Sequence, residues 1–430
     1  MIPARDALGT SAHPESPTDA VVVGAGPAGS VTALLLARHG LRVVLLDRLL
    51  FPRDKPCGEC LSAGATALLD HLGVLPAVEA TAPARLHGWT VHAPGGAHFT
   101  GRFHRAGLAL AIERRRLDAA LLDAAQAEGV RFLQTHVTGL LRDTHGGGPH
   151  GRVAGIAGRD AHGQPVRLHA RLVIGADGLR SVVARRMGLV RRRPRLRKVS
   201  LTTHMDVPGL FPPGGAWLGE MHLADDACVG LAPVHRSGRR VNLTLVVNKR
   251  HAPDLRAAGP AAFMWSWIRR MPALRERLAA HAVELQLDAP LLASGPFDVP
   301  TRAVVDHGVA LVGDAAGYYD PFTGQGIYRA LATAEMLADV AGAVLRRGDP
   351  TAQRLAPYAR RLHRLVAGGR RLQHAIDWAL RRPRRADRII RRLARSAGVA
   401  DTLVAVTGDA RPVTALLAPR LLVNFLMARP

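Results

Sequence analysis

Cysteine, lysine and aromatic residues are all scarce in this chain, and each shortage removes a class of protein. Its 430 residues include three cysteines, Cys57, Cys60 and Cys228, too few for a disulfide framework. No export signal precedes them, so a cytoplasmic location is the expectation. Cys57 and Cys60 form a CxxC without the second pair that a zinc site needs, so no metal is expected. All but three of the 58 basic residues are arginine, spread along the chain. A net charge of +24 would by itself point to nucleic acid. Aromatics, however, make up only 4% and no basic stripe is interleaved with stacking rings, so no nucleic-acid partner is expected. Long apolar runs are missing as well. The longest, Val21 to Ala37, is broken by Gly24, Gly26, Pro27 and Gly29, which suits a strand, a turn and a helix better than a membrane span.

What is present is an interrupted α/β pattern. Val21 to Val23 and Val43 to Leu46 are short apolar runs suited to buried parallel strands, with a crossover helix over Ala28 to His39. Leu117 to Glu128 reads as a helix and Val130 to Leu133 as a strand. Trp89, Val91, Phe99 and Phe103 alternate with polar and glycine positions as in an antiparallel sheet, and residues 199–247 repeat that character. His145 to Gly151 reads as a surface loop. From about Leu331 the pattern is helical. Arginine crowds near Arg185 to Lys198 and Arg381 to Arg395 read as solvated surface; the second has an alternative reading as a basic amphipathic face for peripheral contact with anionic lipid.

Three separated motifs carry chemistry. Gly24-Ala25-Gly26-Pro27-Ala28-Gly29 follows a strand and opens a helix, where glycines permit a tight turn and the close approach of a pyrophosphate to the helix N-terminus. Asp47, with Arg48 after it, ends the next strand, where a carboxylate can bind an adenosine ribose. Leu172 to Gly178 is a buried strand leading into a turn at Asp177 and Gly178. Val309 to Gly317 is another strand, delivering Gly313 and Asp314. A second turn follows through Pro321, Gly324, Gln325, Gly326 and Ile327, and its helix N-terminus can stabilise negative charge on a reduced ring.

Together these segments resemble the glutathione-reductase-type FAD fold of p-hydroxybenzoate hydroxylase, the flavin halogenases and the geranylgeranyl reductases. The resemblance implies non-covalent FAD, with the first motif on the pyrophosphate, Asp177 and Gly178 near FAD and the reducing cofactor, and Asp314 on the ribityl chain. Arg114 resembles the family arginine that helps to hold FAD; the alternative is an exposed helix arginine. The implied architecture is α/β, with an FAD-binding domain from residues 19–83, 107–198 and 285–345. An antiparallel substrate sheet is expected from 84–106 and 199–284, a flexible tail over 1–18, and a helical appendage over 346–430.

Gly317 and Ile327 stand where aromatic hydroxylases have histidine and asparagine, so the chain departs from that branch. Lys55-Pro56-Cys57-Gly58-Glu59-Cys60-Leu61 and the Gly313 to Ile327 segment look more like the geranylgeranyl reductase and halogenase-like group. The aromatic segment of prenyl reductases is replaced by Cys228 to Pro233. Trp265-Ser266-Trp267 only partly matches a halogenase motif, and only Lys55 lies near a flavin motif. His87, His92, His204 and His222 fall in the substrate sheet, and none is named as catalytic. The flavin-proximal candidates are Pro321, Gly324, Gly326 and Cys57. The leading expectation is a monooxygenase using NADH or NADPH on a small apolar natural product. The alternatives are a reductase of carbon–carbon double bonds and an electron-carrying flavoprotein that docks an acidic partner.

Overall fold

The computed structural model describes residues 18–104, 107–143, 151–191, 198–281, 291–318, 320–380 and 382–428. Of the expected tail only Thr18, and of the 145–151 loop only Gly151, fall within them; so does most of each arginine crowd. Two large sheets organise the chain. In the first, β1 (Thr18–Val23) lies between β2 (Val43–Asp47) and the strand Pro165–Gly175, parallel to both. Arg131–Asp143 extends the sheet beyond β2, and Val309–Leu311 extends it beyond Pro165–Gly175. Val21, Val22, Leu45, Leu46 and Ile174 are buried in this layer, which is why these strands read as unbroken apolar runs. A third long strand, Arg152–Asp160, pairs antiparallel with the extensions of its two neighbours.

The second sheet runs, in spatial order, through Leu292–Ser294, Lys198–Asp206, Arg240–Asn248, Ala227–Pro233, Gly219–Ala224, Gly88–His92 and His98–Arg102. Leu292–Ser294, expected within the nucleotide-binding part, is an edge strand of this sheet instead. Its pairing is mixed, since Gly88–His92 runs parallel to Gly219–Ala224. Residues alternate between faces. One face packs on Phe263, Met264, Trp267 and Leu274; the other, carrying Val91, Phe99 and Met221, opens on a cavity.

The C-terminal helices are not the appendage that the arginine-rich sequence suggested. Helix Ala352–Leu380 begins against the first sheet, where the fully buried Tyr358 donates its hydroxyl proton to the Leu311 carbonyl at 2.6 Å, and ends with Ile376, Ala379 and Leu380 over the cavity. Pro383–Ala394 and Ala397–Thr407 complete the roof.

Candidate functional site

The glycine turn is shaped by backbone contact. At φ +103°, Gly24 leaves so little room that a Cβ would lie 2.5 Å from the Ala176 carbonyl oxygen, and one on Gly29 would lie 1.7 Å from the Gly24 oxygen. Gly26 is different. Its φ of −76° suits any residue, and a Cβ there would meet only the guanidinium nitrogens of Arg53 and Arg114, at 3.8 Å each. Helix α1 (Pro27–Arg38) has Pro27 in its first turn and no side-chain cap, so its leading N–H groups and two guanidinium groups face one space. That is an anion site by construction.

The arginines are held from behind. Asp118, fully buried, accepts from Arg114 Nε and Nη2 at 2.8 Å each and from Arg53 Nη1 at 3.2 Å. Asp47 Oδ2 accepts from Ala25 N at 3.0 Å and Arg53 Nη2 at 3.3 Å. Arg114 is therefore buried rather than on an exposed helix face. Arg48 is exposed and does not line the cavity.

Further along the same cavity stand two half-buried ionisable groups, Lys55 and Asp314, whose side chains have no hydrogen bond or ion pair among the described residues. Burial lowers the Lys55 pKa, assisted by the Arg114 charge, and burial raises that of Asp314. Asp177 turns one oxygen to the Val182 N–H at 2.6 Å and leaves the other buried and unpaired. An unpaired buried oxygen is costly; with the two half-buried charges it marks where a polar ligand belongs. FAD has the matching parts: a pyrophosphate for the glycine turn, ribityl hydroxyls for Asp314, and a ring for the apolar stretch beyond. Pro321, Gly324, Gly326 and Ile327 line that stretch at the N-terminus of helix Gly326–Arg347. Gln325 points elsewhere and donates to Asp409 Oδ1 at 2.5 Å.

The cavity, of about 370 Å³, continues between Trp89, Val91, Phe99, Met221 and the roof residues Ile389 and Leu393. Its join to the flavin end is the Lys55 to Leu61 segment, pinned by a network that sequence reading missed. Glu59, at a left-handed φ of 59°, accepts from Arg114 N at 2.8 Å and Asn242 Nδ2 at 3.0 Å and bonds His204 Nε2 at 2.6 Å. Such a backbone conformation persists where surrounding bonds over-determine it. Asn242 also holds the Cys57 carbonyl at 3.0 Å. The His204 pKa is raised: burial opposes the charged ring, but the hydrogen bond and charge of Glu59 outweigh it. Burial keeps the thiols of Cys57, Cys60 and Cys228 protonated, Cys228 with a pKa of about 12.

His92 and His222 lie on the opposite face of the sheet, stacked at 4.5 Å. With Glu220 they form the cluster of potential metal ligands among the described residues, but Glu220 is already engaged by Arg277 at 2.8 Å. The only sequence signal for Glu59, His204 and Asn242 was polar residues inside apolar strands and loops, and that pattern does not specify partners.

A family match decides the class: residues 17–368 fit the FAD binding domain family. The chain belongs to that family. It is an FAD-dependent oxidoreductase, and its relatives span several reactions. Digeranylgeranylglycerophospholipid reductase 2 of Methanopyrus kandleri is 29% identical over 358 residues, covering 79% of this chain and 81% of that one. Squalene monooxygenase of Rattus norvegicus is 27% identical over 335 residues, covering 75% and 54%. Among solved structures, the myxobacterial chondrochloren halogenase superposes with a TM-score of 0.75 at 23% identity, covering 85% and 84%, a likeness of fold. Among the described residues of this flavoprotein no helix is long and apolar enough to cross a membrane.

Proposed function

We propose that this flavoprotein is a monooxygenase that uses NADH or NADPH to insert one oxygen atom of O₂ into an apolar small molecule, the other leaving as water. The observation that carries the reading is one continuous cavity, polar and cationic where the glycine turns meet, apolar where it reaches the sheet. Bound FAD would supply the redox chemistry. The protein's part is position and exclusion. Lys55, Arg53 and Arg114 neutralise the phosphate end, Asp314 takes the ribityl chain, and the N–H groups that open helix Gly326–Arg347 face the ring. Val91, Phe99, Met221, Ile390 and Leu393 exclude water from the reacting face, which protects reactive species from hydrolysis. Gly230, in the segment where prenyl reductases carry aromatics, leaves width for a ring or a branched chain.

A second reading, reduction of a carbon–carbon double bond, is favoured by the digeranylgeranylglycerophospholipid reductases among the relatives and by the protonated Cys57 thiol beside the flavin end. NAD(P)H consumption and O₂ uptake measured together with apolar candidates separate the two. Equal consumption of both and an oxygenated product support the monooxygenase; saturated product formed without O₂ refutes it.

A further inference from the structure

Helix Pro383–Ala394 has two faces. Ile389, Ile390 and Leu393 line the cavity. On the outer side Arg384, Arg388 and Arg391 are exposed and spaced to form one stripe, and no ion pair engages them among the described residues. Beside it helix Pro419–Met427 is apolar on both sides. Leu421 and Phe425 pack inward on the core of the second sheet, while Leu422, Val423, Leu426 and Met427 are 45%, 57%, 68% and 77% exposed. The two helices meet: the Arg392 guanidinium lies 5.9 Å from the Phe425 ring, and Ser396 Oγ donates to the Asn424 carbonyl at 3.3 Å. On the other flank Trp378, 58% exposed, stands under Arg385 at 4.0 Å.

Single exposed leucines are ordinary, but large apolar side chains gathered on one helix beside an arginine stripe mark a surface that something covers. The cover must be apolar in the middle and anionic at its rim. A symmetric second copy meets the first condition and fails the second, because it can set arginine row against arginine row. A bilayer rich in anionic lipid meets both.

We propose that this face docks in the plane of an anionic membrane surface. Leu422, Val423, Leu426 and Met427 enter the boundary between headgroups and acyl chains, and Arg384, Arg388 and Arg391 lie on lipid phosphates. Helix Pro383–Ala394 is then both the membrane-facing wall and the roof of the cavity, so an apolar substrate reaches the flavin from the bilayer. Docking stands on these helices alone; the delivery step rests on the apolar-substrate reading above.

The test is flotation of the full-length, FAD-loaded protein with vesicles of phosphatidylcholine alone or mixed with phosphatidylglycerol. The protein is expected to float with the anionic vesicles and to be released as salt rises. Arg384→Gln/Arg388→Gln/Arg391→Gln should lower the partition coefficient on the order of a hundredfold, since each basic side chain at such a surface is worth roughly fivefold. Leu422→Glu/Leu426→Glu should abolish flotation while the flavin spectrum and circular dichroism stay those of the wild type. The proposal is overturned if the wild type does not float, or if both variants float as it does. It is equally overturned by a concentration-dependent dimer that Leu422→Glu/Leu426→Glu dissolves, which assigns the face to a second copy. Flotation is read without turnover, so its failure and the failure of the monooxygenase reading are separate results.

Discussion

Two glycines three positions apart should respond in opposite ways to the same methyl group. In Gly26→Ala the new Cβ has 3.8 Å of clearance from Arg53 and Arg114 and a φ that alanine adopts freely. The FAD-free protein should therefore unfold within about 0.5 kcal/mol of the wild type. The methyl nevertheless enters the space that Arg53 and Arg114 face, where those two side chains would hold the pyrophosphate. Losing one charge-assisted hydrogen bond there costs about 2–3 kcal/mol, which weakens FAD roughly 30- to 150-fold. In Gly29→Ala the Cβ would fall 1.7 Å from the Gly24 oxygen, so the turn itself must move, and both stability and FAD binding should fall, stability by about 1–3 kcal/mol or more. Urea unfolding of the deflavinated proteins and fluorescence titration with FAD measure the two quantities separately. Wild-type FAD affinity in Gly26→Ala would refute the placement of the pyrophosphate. Equal destabilisation by both substitutions would refute the steric argument.

Glu59→Gln should cost about 2 kcal/mol of stability, because a carboxylate holding three partners becomes an amide. It should also bring the His204 pKa down, since Glu59 is what raises it; an NMR titration that finds His204 unmoved contradicts the network. Asp409, bonded to Ser62 at 2.9 Å and to Gln325, has its pKa raised to about 7 by burial. A carboxyl whose folded pKa lies above its unfolded value contributes stability at acid pH that is lost as pH rises through the folded value. Proteolysis near residue 409 should therefore accelerate between about pH 5 and pH 8, and Asp409→Asn should flatten that profile; an unchanged slope would exclude Asp409 as its source. Tyr358→Phe should lower stability by about 1 kcal/mol with little change in FAD affinity, and an affinity loss as large as that of Gly26→Ala would show that the first sheet and the pyrophosphate turn are coupled.

The sequence by itself determined the parallel sheet, the glycine turns that follow its strands and the flavin class, because each depends on local order. A buried strand, a glycine turn and a helix follow one another within a short stretch, and apolar runs, glycines and a terminal carboxylate signal them directly. Only the tertiary structure decided what surrounds those turns. Arg114 and Asp118 sit one turn apart on a single helix, but Arg53 lies 65 positions before Asp118, and the two arginines become an anion site only when Asp118 is buried between them. Glu59 meets His204 and Asn242 across 145 and 183 positions of chain, a distance that no periodicity encodes. The arginine-rich C-terminal helices carry the same pattern as a solvated appendage, and only folding revealed that their apolar stripes close the cavity. Residue type and spacing specify what a segment can form; which segments share a space is decided by packing.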